Sequence, residues 1–230
     1  MPETLNKVSS PFFDLAISGQ TLRLHAGRFA EWREEKTIFI ADAHIGKIEH
    51  FRRAGISLPA KAGDDTFQRL TAVMEKMNPQ KLIFLGDLFH SDFNDDFPKF
   101  AEWRKQFPKT DVCLIPGNHD QAGKNNLHQL GIAIQEPHAL GPFFLRHEPV
   151  EKENGFLLCG HLHPGVSLSG RGRQHLRVPA FWQFAAGICL PAFGTFTGRS
   201  ATKANAGDIF YAISGSAVHK VPAELLSSRL

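Results

Sequence analysis

Five apolar runs of three to five residues each stop at a residue able to hold a cation, and that recurrence constrains the fold most. Thr37 to Ala41 runs into Asp42-Ala43-His44, Leu82 to Leu85 into Gly86-Asp87, and Val112 to Ile115 into Gly117-Asn118-His119-Asp120. Phe143 to Leu145 leads to His147, and Phe156 to Cys159 to Gly160-His161-Leu162-His163-Pro164. Runs this short and apolar read as strands buried on both faces. Gly86 lets the backbone turn tightly off its strand and presents Asp87 at the carboxyl end, the edge where open α/β sheets bind ligands. Taken singly, each ending reads as a turn or a helix cap. Together, on adjacent strands, they converge along one sheet edge.

The donors Asp42, His44, Asp87, Asn118, His147, His161 and His163 mix imidazoles and carboxylates with one amide oxygen and no thiolate. Imidazole suits zinc, iron, nickel and manganese, and carboxylate suits harder ions. A mixed set without sulfur argues for a catalytic centre over a structural zinc. Seven donors suit two ions sharing a carboxylate better than one crowded ion.

The 230 residues are expected to form one domain, 1–230, and 42% apolar content is enough for a full core. Phe is abundant at 20 and Tyr nearly absent at 1, so the aromatic rings serve packing. A net charge of +3 does not by itself announce a nucleic-acid binder. Cys113, Cys159 and Cys189 lie inside apolar runs and read as buried free thiols of a reducing compartment. Met1 to Ser10 is polar, so no signal peptide is visible, and no apolar run approaches the ~20 residues that span a bilayer. A cytoplasmic protein is expected.

Phe12 to Ser18 and Thr21 to His25 flank Gly19-Gln20 as a hairpin. Ala30 to Lys36 reads as polar with one helical turn, and Gly46 to Gly55 as basic and partly helical. Asp64 to Met77 is the clearest helix, capped by Asp65 or Thr66, with Phe67, Leu70, Val73, Met74 and Met77 at helical spacing. Phe97 to Phe107 and Gln121 to Leu130 are further helical candidates. The second half is mainly strands, with candidates at 166–168, 187–190, 209–213 and 217–221. This order predicts an α/β sandwich of two β-sheets flanked by helices.

The series Asp-x-His, Gly-Asp, Gly-Asn-His-Asp, His and Gly-His-x-His, spread over residues 42 to 163, resembles the calcineurin-like metallophosphoesterase superfamily. The resemblance implies two divalent metal ions, manganese first, with iron, zinc or nickel as alternatives. It places Asp42, His44 and His163 on one ion, Asp87 across both, and Asn118, His147 and His161 on the second. His138 competes with His147, but no comparable strand precedes it. His119 would carry no metal and would protonate or stabilise the leaving group, with Asp120 orienting its ring.

A closer resemblance rests on Asp42-Ala43-His44-Ile45-Gly46-Lys47, Phe51-Arg52, Leu58-Pro59, Leu88-Phe89-His90, His147-Glu148-Pro149 and the segment from Leu190 to Gly198. These are similar to the ligase-associated DNA damage response endonucleases. That branch implies cleavage of DNA phosphodiesters alongside helicase and DNA ligase partners. Lys47, Arg52 and Arg53 follow the first ligand pair and could hold flanking phosphates, and His90 could touch substrate. Arg171, Arg173, His175 and Arg177 read as a basic loop able to track a phosphate backbone. The alternatives are a phosphatase or small-nucleotide phosphodiesterase with the same metals, and a non-catalytic binding scaffold.

Overall fold

The protein is described by a computed structural model covering residues 10–48, 55, 65–90, 96–120, 124–169, 175–195, 197 and 204–223. One seven-stranded sheet runs, in spatial order, β1 (Phe12–Ile17), β2 (Gln20–His25), β3 (Phe29–Trp32), β4 (Thr37–Ile40), β5 (Lys81–Leu85), β6 (Asp111–Ile115) and β7 (Ile132–Ile134). Strands β1 to β4 form an antiparallel meander, and β4 to β7 are parallel.

The second sheet is built from β8 (His138–Leu140), β9 (Phe143–Leu145), β10 (Phe156–Cys159), β11 (Gly165–Ser169), β12 (His175–Phe184), β13 (Gly187–Cys189), β14 (Ile209–Ser214) and β15 (Ala217–Pro222). Its spatial order is β15-β14-β12-β13-β10-β9-β8, with β11 paired to β12. Among the described residues three helices, α1 (Asp65–Met77), α2 (Asp96–Lys105) and α3 (Lys124–Gln129), accompany the first sheet.

The apolar runs are continuous because their strands are buried on both faces. In β4, Phe39 turns inward to the layer between the sheets, with Ile83, Phe143, Leu158, Phe181 and Tyr211. Its neighbours Ile38 and Ile40 turn outward, to Leu70 and Met74 of α1 and Phe100 and Trp103 of α2. Each such side chain contributes about 1.5–3 kcal/mol on burial. Helix α1 begins at Asp65 and buries Leu70, Val73 and Met74, as its spacing predicts.

Two expectations are corrected. Ala30 to Lys36 is not a helical segment: residues 29–32 are strand β3, paired with both β2 and β4, and residues 33–36 form a hydrogen-bonded turn, Lys36 N–H to the Arg33 carbonyl at 3.4 Å. Phe29, Ala30 and Trp32 are buried there, and the Trp32 indole N–H donates to Gln20 Oε1 at 2.8 Å. The basic stretch after His163 is a strand over its second part, since His175 and Arg177 lie in the ten-residue β12. Arg171 and Arg173 fall outside the described residues.

The outer part of β12 pairs only with β11, as a two-stranded ribbon. Val178 is 6% exposed but Leu176, two residues away on the same face, is 59% exposed, so the ribbon leaves the body between them. The basic stretch 46–55 starts helically at Lys47 and Ile48, and residues 49–54 lie outside the described set. Among the described residues no helix is long and apolar enough to cross a membrane. Cys113, Cys159 and Cys189 are all free and buried.

Candidate metal centre

The loops that follow β4 and β5 run side by side. Asp42 N–H donates to the Gly86 carbonyl at 3.2 Å, His44 N–H to Asp87 at 2.9 Å and Ile45 N–H to Leu88 at 2.9 Å. Within the second sheet, Gly160 N–H donates to the His147 carbonyl at 2.9 Å and ties the ends of β10 and β9, and that sheet joins the two loops through a backbone strap. In that strap Phe193 N–H donates to the Ala41 carbonyl at 2.9 Å and Gly194 N–H to the Asp42 carbonyl at 3.1 Å. The carboxyl ends of strands from both sheets thus meet in one place.

Asp42, His44, Asp87 and His147 are buried there. His163 Nε2 lies 3.4 Å from Asp42 Oδ1 and 3.3 Å from His44 Nε2. Asp87 Oδ1 lies 3.6 Å from His147 Nε2, and Asp87 Oδ2 lies 3.9 Å from His44 Nε2. His161 Nδ1 is 3.1 Å from His147 Nε2, and the His161 N–H donates to Asp42 Oδ2 at 2.9 Å. Among the described residues two groups have ligand atoms close enough to share a cation: Asp42, His44 and His163, and Asp42, Asp87 and His147. Asp42 is the member common to both, while Asp87 approaches the first group through His44. Asn118 is exposed in the turn between Gly117 and His119.

The residues fit divalent cations on three observations. Asp42 Oδ1 is buried and accepts no hydrogen bond, an arrangement that costs about 1–3 kcal/mol unless something else satisfies it. Two pairs of imidazole nitrogens face one another, and His147 shows which of its own is bare. Its Nδ1 lies 3.0 Å from the Leu85 carbonyl, which can only accept, so Nδ1 carries the proton and Nε2 offers a lone pair. Burial, then the Lys47 charge and the neighbouring histidines, push the His44 pKa down to about 2, leaving its ring neutral as a ligand requires.

The backbone is strained where these donors sit. Of nine non-glycine residues with positive φ among those described, five are Asp42 (52°), His44 (44°), Asp87 (49°), His161 (71°) and His163 (48°). Such conformations cost on the order of 1 kcal/mol or more each and persist only where the surroundings enforce them. Glycine supplies the room: a Cβ on Gly86 would collide with the His147 ring, and one on Gly160 would sit 2.6 Å from Asp42 Oδ2.

His119 stands at the rim, its side chain 47% exposed and its Nε2 4.0 Å from Asp87 Oδ2. Its N–H donates to Asp87 Oδ1 at 3.0 Å. His90 belongs to the same cluster, its ring 5.6 Å from His44 and 5.5 Å from His119. Lys47 is half-buried beside the carboxylates; burial lowers its pKa while Asp42 and Asp87 raise it. Arg52 lies outside the described residues.

Asp120 does different work from the ring-orienting role expected of it. Oδ1 accepts N–H bonds from Leu88 at 3.0 Å and Phe89 at 3.5 Å, and Oδ2 accepts one from Gly117 at 2.9 Å. It therefore ties the loop after β5 to the loop after β6. Burial pushes its carboxyl pKa up, against the pull of those N–H groups. His138 is remote from the cluster: it opens β8, with Nδ1 2.9 Å from the Glu136 carbonyl. It lines a separate cavity with Lys81 and Asp111, which begin β5 and β6.

Two sheets with few helices, and imidazoles and carboxylates gathered where their strands end, define a metal-dependent phosphoesterase. The family described as calcineurin-like phosphoesterase matches residues 35–175, and the chain belongs to it. Members of this family use divalent metals, and the chain is accordingly a hydrolase of phosphoesters. Among solved structures it is similar to the Pseudomonas putida nuclease MPE, with 30% identity and a TM-score of 0.76 over 91% of this chain and 100% of that one. It also matches Yfce, a phosphoesterase from E. coli, at 18% identity and a TM-score of 0.42, covering 81% of this chain and 98% of that one. No curated protein matches the chain.

Proposed function

We propose that the chain is a dinuclear-metal phosphodiesterase that cleaves DNA, working in DNA repair beside helicase and ligase partners in the cytoplasm. The observation that carries the nuclease reading is the likeness to the Pseudomonas nuclease, which extends over nearly the whole of both chains. Two features of the chain support it. Lys47 is half-buried within the field of Asp42 and Asp87, where its charge would meet a substrate phosphate. The β11–β12 ribbon starts two residues after His163 and sets exposed Ser167 directly opposite Arg177.

Asp42, His44 and His163 would hold one cation, and Asn118, His147 and His161 the other, with Asp87 between them. Such a pair, when bound, lowers the pKa of a water and offsets charge on phosphoryl oxygens. His147 is kept in one tautomer by Leu85, so its Nε2 stays available. Lys47 adds positive charge for the substrate phosphate, and His90 borders the same space. His119, exposed at the rim, donates a proton from Nε2 to the leaving oxygen and is replenished from solvent. Asp120 holds the His119 turn against the β5 loop and so fixes where that proton is delivered.

The test is a panel of single-stranded DNA, duplex DNA, RNA, a cyclic nucleotide, an aryl diester and an aryl monoester, each assayed with Mn2+, Fe2+, Zn2+ and Ni2+. Cleavage of DNA with Mn2+ is expected. Hydrolysis of monoesters alone would make the chain a phosphatase, and absence of turnover with any substrate would leave the scaffold.

A further inference from the structure

Arg69, on α1, reaches out of its helix to the strap that crosses the metal centre. Its Nη1 donates to the Phe193 carbonyl at 2.5 Å and its Nη2 to the Gly27 carbonyl at 3.0 Å. The guanidinium carbon lies 4.4 Å from the centre of the Phe193 ring. Arg28 Nη1 adds a contact to the Gly194 carbonyl at 3.5 Å. On their opposite edge the same two strap residues donate their N–H groups to Ala41 and Asp42. The approach is close, because a Cβ on Gly194 would collide with the Ala43 carbonyl.

Asp42 needs such support. Its φ of 52° lies in the left-handed region, which non-glycine residues seldom occupy. Its peptide is gripped from both sides, by the Gly86 carbonyl on its N–H and by the Gly194 N–H on its carbonyl. Arg69 is itself costly to place: burial, then the nearby Arg28 charge, lower its pKa to about 10. Two guanidiniums crowded together and turned onto main-chain carbonyls give up hydration for bonds that serve the strap.

We propose that Arg69, assisted by Arg28, is a positioning residue for the metal centre: it holds the Phe193–Gly194 strap, and the strap holds Asp42 in the conformation that aims its carboxylate at the cation. This rests on the metal-centre reading above. The alternative is that Arg69 merely joins α1 to the sheets. Electrostatics separates the two by sign, because deleting a nearby cation strengthens divalent-cation binding on Coulomb grounds alone. A positioning role weakens it.

The experiment titrates metal-stripped wild type, Arg69→Ala, Arg69→Lys and Gly194→Ala with Mn2+ by calorimetry, alongside the thermal midpoint of each metal-free protein. Arg69→Ala is expected to weaken Mn2+ binding about tenfold or more, as outer-shell changes do. Arg69→Lys, which cannot span both carbonyls, falls between. Gly194→Ala keeps every charge yet weakens binding in the same direction, which tests the strap's hold on Asp42, and Arg69→Lys carries the test of Arg69 if Arg69→Ala does not fold. Mn2+ affinity unchanged or tighter in the folded variants, even with a lowered midpoint, overturns the inference alone. A wild type that takes up no Mn2+ overturns the metal-centre reading and the inference with it.

Discussion

His147 Nδ1 sits 3.0 Å from the carbonyl oxygen of Leu85, a residue of the opposite sheet 62 positions earlier in the chain. That bond links β9's end to β5's end and turns a lone pair toward Asp87 and His161. The centre therefore exists only when both sheets are in register. Gly86→Ala drives a methyl into the His147 ring at a φ of 80°, where side chains are strained. The variant is expected to lose about 1–3 kcal/mol of stability and to bind less Mn2+, read by thermal unfolding and metal analysis.

His119 and Asp87 divide the work differently. His119→Asn leaves the buried donors in place and is expected to retain metal while kcat falls about 10²–10⁴-fold. Asp87→Asn removes a carboxylate that lies within 4.0 Å of His44, His119 and His147 nitrogens, and is expected to lose metal as well. Metal content measured beside turnover checks both.

On the proposed nuclease reading, the ribbon would contribute charge to a long substrate and none to a short one. Arg177→Ala is expected to reduce the salt dependence of DNA binding by about one unit of log–log slope. The conservative Arg177→Lys keeps the slope. Binding titrations at several salt concentrations measure it.

The thiols offer a check on the core. Burial pushes Cys113 up to about 11 and Cys189 well above its ordinary value, and the Cys189 Sγ donates to the Gly160 carbonyl at 3.0 Å. A thiol with a pKa of about 11 is ionised to roughly 10⁻⁴ at neutral pH, and the thiolate is the reactive form. Iodoacetamide at neutral pH is expected to leave the native protein unlabelled and to modify all three cysteines after unfolding, read by mass spectrometry.

What the sequence revealed was local. Strands β4, β5, β6, β9 and β10 were legible because burial on both faces makes them uniformly apolar, and α1 because one face alone is buried. Strand β3 was hidden because Ala30 to Lys36 mixes buried Ala30 and Trp32 with exposed charges, and its pairing partners lie elsewhere in the chain. The ribbon half of β12 reads as a loop because its alternation, His175-Leu176-Arg177-Val178, lasts only four residues before Pro179. Strands β7 and β8 have three residues each, too few for any period.

In the site, the donors announced themselves by type and by following strands. The grip of Asp120 on the β5 loop and of Arg69 on the strap depends on contacts 32 and 124 residues apart, which no spacing encodes.

Anomalous diffraction from crystals of the protein grown with Mn2+ tests the centre most directly. Two peaks ~3.5–4 Å apart are predicted, with Asp42, His44 and His163 around one, Asn118, His147 and His161 around the other, and Asp87 between. A single peak elsewhere, or none among these side chains, would contradict the account.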